Sequence, residues 1–351
     1  MGLCLLEQQG QKTYTISYHK DLDGVVSATL LYDYLIKGRG CSPLTIRLVC
    51  VDYEDLVDWR EQDFSDTEHW VLDFEDHPDS DFWLDHHSGR VPSLSPRNKP
   101  SRVLLVSPKS KSCSSLLYTK LFDFFGYQNE AFHEIVSWTD TIDSASYSSP
   151  EDIVRLDHPV LKLNLLLHDS NIPNDAVRDI VYLLFSFQGD CSLVMENSKV
   201  YNLYEEARAK RDLGFDILRK HSKIYNISDG LIKVLVCIIP DLSQAIISSL
   251  YIFSLFPTTN YVIFCQKLKD GKTKIHMARS PFVPHDSDFD IGKFLKKEFS
   301  GGGHRDAGGF VLSKEKVRSV GLEPTISILL DKISNLLNVS SSIDSYIGNF
   351  V

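Results

Sequence analysis

The chain has no Cys-x-x-Cys pair among its seven cysteines, Cys4, Cys41, Cys50, Cys113, Cys191, Cys237 and Cys265. The odd count and wide spacing exclude a zinc-finger pattern and a disulfide framework, and predict reduced, mostly buried thiols in a cytoplasmic protein. No apolar run approaches the ~20 residues that a transmembrane helix requires. No basic stretch leads into a long apolar one near Met1, so no signal peptide is expected. Leu6 stands where N-myristoylation of Gly2 would call for Ser or Thr. Internal repeats, heptads and low-complexity tracts are also missing. So is an excess of positive charge: the formal net charge is −10. Residues 1–222 carry a net of −13 and residues 223–351 a net of +3. An acidic body argues against tight binding of long nucleic acid, which needs many phosphate contacts. It leaves room for a small phosphorylated ligand in a local positive pocket.

What is present is an ordinary globular composition, 43% hydrophobic and 24% charged over 351 residues, enough for about two domains. Short apolar runs alternate with helical or polar segments. Tyr14 to Tyr18, Leu48 to Asp52, His69 to Phe74, Asp81 to Leu84 and Arg102 to Val106 read as strands of a mainly parallel sheet. Helices are expected over Val25 to Ile36, Ser112 to Phe125, Asn129 to Trp138, Pro159 to His168 and Asn174 to Phe187. A loop rich in Pro and Ser lies between Pro92 and Pro100. The stretch Leu193 to His221 is charged and free of Pro, and reads as one long linking helix. Beyond it the α/β pattern restarts. Strands are expected at Leu231 to Ile239, Asn260 to Gln266 and Lys272 to Met277, the last two joined by a Lys-Asp-Gly turn. Helices are expected at Ser243 to Phe253, Ile291 to Phe299 and Ile328 to Leu337.

Two clusters carry chemistry. The strand ending in Trp83-Leu84 runs into Asp85-His86-His87. In open α/β sheets that edge is where ligands bind. His86 can offer an imidazole nitrogen to a metal, and Asp85 can hold the tautomer of a histidine. Upstream, Tyr18 leads into His19-Lys20-Asp21-Leu22-Asp23-Gly24. If the strand continues, His19, Asp21 and Asp23 share a face. Such a set repels itself unless a cation holds it, and mixed oxygen and imidazole donors suit Mn²⁺, Mg²⁺, Fe²⁺ or Zn²⁺. Gly24 permits the tight turn into the next helix. Asp73 also ends a strand, although alone it would read as a turn or cap acid.

His19-x-Asp21-x-Asp23-Gly24 and Asp85-His86-His87 resemble two motifs of the DHH phosphoesterases. Gly301-Gly302-Gly303-His304-Arg305-Asp306-Ala307-Gly308-Gly309 resembles the glycine-rich signature of that family's associated C-terminal domain. The three motifs occur in the expected order from Tyr18 to Phe310. The resemblance implies a two-domain α/β protein with a larger, mainly parallel catalytic domain (1–195), a helical linker (196–227) and a smaller α/β domain (228–351), and an active site in the cleft between them. It implies His19 and Asp21 on one metal, Asp23, His86 and Asp140 on a second, and Asp73 bridging. Asp76 is the runner-up to Asp73, and Asp143 the runner-up to Asp140. Asp85, His86 and His87 would be catalytic, with Asp85 and His87 orienting ligands or touching substrate. Arg279, Ser280, Gly301, Gly302, Gly303 and His304 would hold substrate phosphate. Two Mn²⁺ ions are implied, with Mg²⁺ or another divalent ion as the alternative.

The function these features imply is hydrolysis of short oligonucleotides or of cyclic or linear dinucleotides by a two-metal-activated water. A RecJ-like single-strand exonuclease and a nucleoside bisphosphate phosphatase are the alternatives among enzymes, and a phosphate-ester sensor is the alternative outside them. A polyphosphatase fits less well, because that branch of the family carries a different C-terminal domain. No membrane and no long nucleic acid is expected as a partner, and a homodimer is compatible with the sequence.

Overall fold

The structure, a computed structural model, describes residues 12–87, 102–227, 232–239, 244–268, 271–284, 289–336 and the short strand 344–346. The loop expected over Pro92 to Pro100, and the positions Cys4, Leu231, Ser243 and Leu337, lie outside them. The chain forms two compact units, residues 1–146 with 156–205, and residues 147–155 with 206–351.

The first unit is built on a five-stranded sheet of β1 (Tyr14–His19), β2 (Ile46–Val51), β3 (Glu68–Leu72), β4 (Phe82–Asp85) and β5 (Val103–Val106). Their order is β2-β1-β3-β4-β5 and every pairing is parallel. The helices of this unit are α1 (Leu22–Asp33), α2 (Leu56–Glu61), α3 (Cys113–Phe125), α4 (His133–Asp143), α6 (Pro159–Leu167), α7 (Asn174–Ser186) and α8 (Cys191–Glu196), while α5 (Pro150–Val154) belongs to the second unit. Parallel strands need crossovers, and these bury both faces of the sheet. One face carries Val51, Val71 and Trp83 under Trp59, Phe64 and Phe74. By alternation along each strand, Ile16, Tyr18, Leu72 and Leu84 point to the other face, and all are buried. Helix α1 is buried along its whole length and packs against β1, α3, α4, α6 and α7. The order 2-1-3-4-5 reverses direction between β1 and β3, and this switch point opens a crevice at the carboxyl ends of the strands. His19, Asp73 and Asp85 all stand at that edge.

Helix α9 (Ser198–His221) begins in the first unit and continues into the second. The single long helix expected from Leu193 is instead α8 and α9, separated at Asn197. Its side chain accepts from the N–H groups of Lys199 and Val200 and so starts the second helix. The second unit holds a seven-stranded mixed sheet ordered β10-β11-β9-β8-β7-β6-β12, comprising β6 (Ser222–Ile227), β7 (Ile232–Ile239), β8 (Tyr261–Lys267), β9 (Thr273–Arg279), β10 (Gly302–Gly303), β11 (Ala307–Leu312) and β12 (Asp344–Tyr346). Helices α11 (Ile291–Phe299) and α13 (Leu322–Leu336) bury Ile291, Leu295, Leu329 and Ile333 against it. The remaining helices are α10 (Ser249–Leu255), which contacts α5, and α12 (Lys314–Val320). Helix α10 starts later than expected because Ser248 caps it through the N–H of Tyr251. Strands β6 and β11 were not anticipated: the first directly follows a charged helix and the second is diluted by glycine.

Gly24 shows how tightly the first turn is made. A Cβ there would lie 2.2 Å from the backbone oxygen of His19 and 2.7 Å from its nitrogen. Gly24→Ala is expected to lower stability by about 1–3 kcal/mol through forced backbone displacement. Urea unfolding followed by tryptophan fluorescence checks this, since all four tryptophans lie in the first unit. An unchanged midpoint would contradict it.

Candidate metal centre

The expectation that His19, Asp21 and Asp23 share one strand face is not met. Strand β1 stops at His19, Asp21 caps α1 by accepting the N–H of Gly24 (2.9 Å), and Asp23 sits in the first helical turn. Capping geometry, rather than strand alternation, brings the acids back to the sheet edge. The Asp21 Oδ2 atom lies 2.8 Å from Nδ1 of His19. Asp23 is fully inside, and its two oxygens accept the N–H groups of Cys113 (2.6 Å) and Ser114 (2.8 Å) at the start of α3. A helix N-terminus presents unpaired amides and a partial positive charge, so it is a natural seat for a carboxylate. The sequence reading missed this support. Its signal was Ser112, which caps α3 through the N–H of Ser115.

Asp73 occupies the residue after β3 with φ +54°, a left-handed conformation uncommon outside glycine. Its side chain is 1% exposed and neither oxygen makes a hydrogen bond. Oδ2 lies 3.7 Å from His19 Nδ1, while Oδ1 lies 3.7 Å from His86 Nε2 and 3.7 Å from His87 Nδ1. One carboxylate thus faces two separate groups of donors. Asp76, the runner-up, is engaged elsewhere: it is buried against Arg102 and accepts from Ser80 Oγ.

At the end of β4, Asp85 is a brace. Its Oδ1 accepts the N–H of His86 (2.7 Å), the N–H of His87 (3.1 Å) and Nδ1 of His87 (2.7 Å). His86 is thereby turned so that Nε2 lies 3.0 Å from Asp143 Oδ2 and 3.8 Å from Asp23 Oδ2, while it makes a hydrogen bond to neither. Helix α4 was expected to end near Trp138, but it runs through Asp143. It therefore presents Asp143 to the cluster. Asp140, the residue preferred from sequence, instead accepts a hydrogen bond from Ser112 Oγ (2.5 Å) and lines a groove of about 400 Å³ between α3 and α4. The two acids are three residues apart on a helix, and only the position of α4 decides which one reaches His86.

Charge accounts for the rest. Burial raises the Asp23 pKa, and the charges of Asp143 and Asp21 add to this, bringing it up to about 8. Burial likewise holds Asp73 well above the usual carboxylate range, with Asp21 and Asp23 contributing. Burial alone would lower the histidines. For His86, Asp143, Asp23 and Asp85 outweigh it and bring the pKa up to about 9; for His19, Asp21 and Asp73 do the same, and its pKa stands well above the ordinary value. Among the described residues, three groups hold donor atoms within 4.8 Å of one another: His19, Asp21 and Asp73; Asp23, His86 and Asp143; and Asp73, Asp85, His86 and His87. Buried carboxylate oxygens with no protein donor, set among imidazoles, fit hard or borderline divalent cations.

In the second unit the glycine run is a tight hairpin rather than an open loop. Gly302 and Gly303 pair with Gly309 and Gly308, and His304 N–H donates to Ala307 O (2.7 Å). A Cβ on Gly303 would stand 2.3 Å from Ala307 O, so close strand approach requires glycine there. Gly301 leads into the hairpin, and His304 is exposed at its tip. Arg279 is half-buried, with its side chain 8% exposed: its guanidinium donates to Phe289 O and pairs with Asp306 Oδ1 at 3.2 Å. Ser280 is buried, and its Oγ accepts the N–H of Phe282. Arg279 thus braces the hairpin, and Ser280 fixes the turn after β9.

Two outcomes are expected. Asp143→Ala should lower the bound Mn²⁺ measured by mass spectrometry, and Asp140→Ala should leave it near the wild-type level; the reverse order would refute the placement of α4. Metal binding should also release protons. Without metal, Asp23 and His86 hold protons below pH values of about 8 and 9, so near pH 7 a cation must displace them. Apparent affinity should therefore fall as pH falls. Calorimetry in buffers of different ionisation enthalpy reads the release, and a buffer-independent heat would contradict it.

No family model matches the chain, and no curated protein matches it. Solved structures do. A pGpG-specific phosphodiesterase, PggH of Vibrio cholerae, superposes with TM-score 0.63 at 17% identity, covering 93% of this chain and 100% of its own. RecJ of Thermus thermophilus, crystallised with Mn²⁺, superposes with TM-score 0.55 at 12% identity, over 93% of this chain and 52% of its own. An exopolyphosphatase-related protein of Bacteroides fragilis gives TM-score 0.50 at 17% identity, over 93% and 94%. The strand order and these superpositions agree: the chain shares the fold of these solved structures, as its ordered motifs predict.

Proposed function

We propose that the protein is a metal-dependent phosphodiesterase acting on short oligonucleotides or dinucleotides. The observation that carries this reading is Asp73, a buried carboxylate whose two oxygens face two different donor groups and bond to neither. His19, Asp21 and Asp73 would hold one divalent cation, and Asp23, His86 and Asp143 a second, with Asp73 common to both. Mn²⁺ is the first choice and Mg²⁺ the next. Bound there, such cations supply Lewis acidity to the phosphate oxygens and lower the pKa of the attacking water.

The chain's own groups do the remaining work. Asp85 holds His86 in a ligand geometry and fixes the orientation of the His87 ring. The amides at the start of α3 fix Asp23 so that it does not swing toward solvent. In the second unit, the exposed hairpin tip carries His304 and Arg305 on a slightly basic body. We assign this tip, with Gly301 to Gly303 as its frame, to capture of a substrate phosphate. Arg279 supports that tip through its pair with Asp306.

A short substrate is favoured because residues 1–222 carry a net charge of −13. A long single strand would meet that field over many phosphates. The similarity to a pGpG-specific phosphodiesterase supports a dinucleotide, and the similarity to RecJ keeps a single-strand exonuclease as the second reading. The assay is a panel with Mn²⁺: di- to pentanucleotides, a long single strand, cyclic di-AMP, a nucleoside 3′,5′-bisphosphate and polyphosphate. Turnover should be fastest on di- to pentanucleotides, vanish in EDTA, and return with Mn²⁺ better than with Ca²⁺, whose longer bonds space a paired site badly. Faster hydrolysis of the long strand, with steep salt dependence, would establish the exonuclease reading instead.

A further inference from the structure

We infer that Tyr53 is a stacking platform for a nucleobase of the substrate. This inference rests on the phosphodiesterase reading above and extends it to the part of the substrate that recognises the protein surface. Tyr53 lies just beyond the carboxyl end of β2, whose Val51 is registered beside His19. It is therefore on the same sheet edge as the candidate metal ligands. Asp52 fixes the turn by accepting the N–H of Tyr53 at 2.6 Å. The ring stands edge-on to His19, with centroids 5.3 Å apart at 71°, and tilts against Phe74 at 5.1 Å. Phe74 is fully buried, stacks on His19 at 5.7 Å and meets Trp59 edge-on at 5.2 Å. The tyrosine is thus held by rings that are themselves held by the core.

Held in this way, Tyr53 is still 49% exposed. A ring serving only to fill space beside His19 would bury more of its area. The neighbours Asp52, Glu54 and Asp55 are acidic, so the turn repels phosphate. A neutral aromatic face among acids suits the part of a nucleotide that is flat and uncharged. Stacking on a tyrosine is tolerant of base identity, because every base has a π-face. The geometry therefore assigns a base beside the scissile phosphate without selecting which base. It also separates nucleotide substrates from polyphosphate, which has no base to stack.

The test uses the full chain loaded with Mn²⁺ and a dinucleotide analogue whose bridging ester oxygen is replaced by methylene. A matched abasic analogue is the control. Dissociation constants come from calorimetry and metal content from mass spectrometry on the same samples. Tyr53→Ala should weaken the dinucleotide analogue roughly 5- to 100-fold. It should leave the abasic analogue and the bound Mn²⁺ unchanged, and Tyr53→Phe should bind as wild type does. Wild-type affinity of Tyr53→Ala for the dinucleotide analogue would overturn the platform while leaving the phosphodiesterase reading intact. Equal weakening of both analogues, or a loss matched by lost metal, would overturn it too, since Tyr53 would then only support His19. A wild-type protein that neither binds the dinucleotide analogue nor hydrolyses any member of the panel would overturn the underlying reading itself.

Discussion

Everything at this site depends on keeping buried carboxylates together. Asp23, Asp73 and Asp85 are almost fully inside, with Asp21 and Asp143 at their border. Isolated burial of one ionised carboxylate is costly, and like charges raise the cost further. The fold offsets this in three ways. Helix α3 gives two amides to Asp23, the start of α1 gives one to Asp21, and the imidazoles of His19 and His86, whose pKa values the acids raise, take up positive charge among them. Asp73 receives none of these hydrogen bonds. It also adopts a backbone conformation that costs on the order of 1–3 kcal/mol and persists only where the surroundings dictate it. Its two oxygens, set among imidazoles and without a protein donor, belong to a group of side chains that could hold a divalent cation.

The surroundings that dictate it are rigid. The Asp73 N–H donates to Leu84 O, so the residue is tied to β4. The turn that follows is pinned by Arg102, which reaches Asp76, Ser80 and His77 O. Trp83 Nε1 donates to Phe74 O from inside the core. These contacts run from the middle of the sheet to its edge. Strand and helix ends carry the candidate ligands, and the packing of these elements sets their spacing, so little depends on mobile loops.

The second unit uses glycine differently from the usual phosphate cradle. Gly303 and Gly308 let two strands approach closely, and the N–H groups of Ile291 and Gly292 at the start of α11 donate to Arg305 O and His304 O. Those amides are consumed by the hairpin. The tip itself exposes His304 and Arg305, and the Arg279 guanidinium pairs with Asp306 of the hairpin.

Sequence alone determined the mainly parallel sheet, its strand ends and most of the acids and histidines at them. Runs such as Trp83-Leu84 before Asp85 declare a buried strand followed by polar chemistry, and that information is local. Helix α11 was legible for the same reason, since its apolar period and its Asp290 cap both lie within the segment. Three features were not local. Asp143 rather than Asp140 meets His86 because of where α4 lies and how far it extends, and the two acids have the same spacing signal. Asp23 is secured by amides 90 and 91 residues away, at a helix start whose own capping pattern does not reveal its guest. Segment 147–155 joins the second unit through the contact of α5 with α10, although in sequence it stands among helices of the first. Residue type and spacing choose the donors; tertiary packing chooses which donors face one another, because only packing fixes distances between segments far apart in the chain.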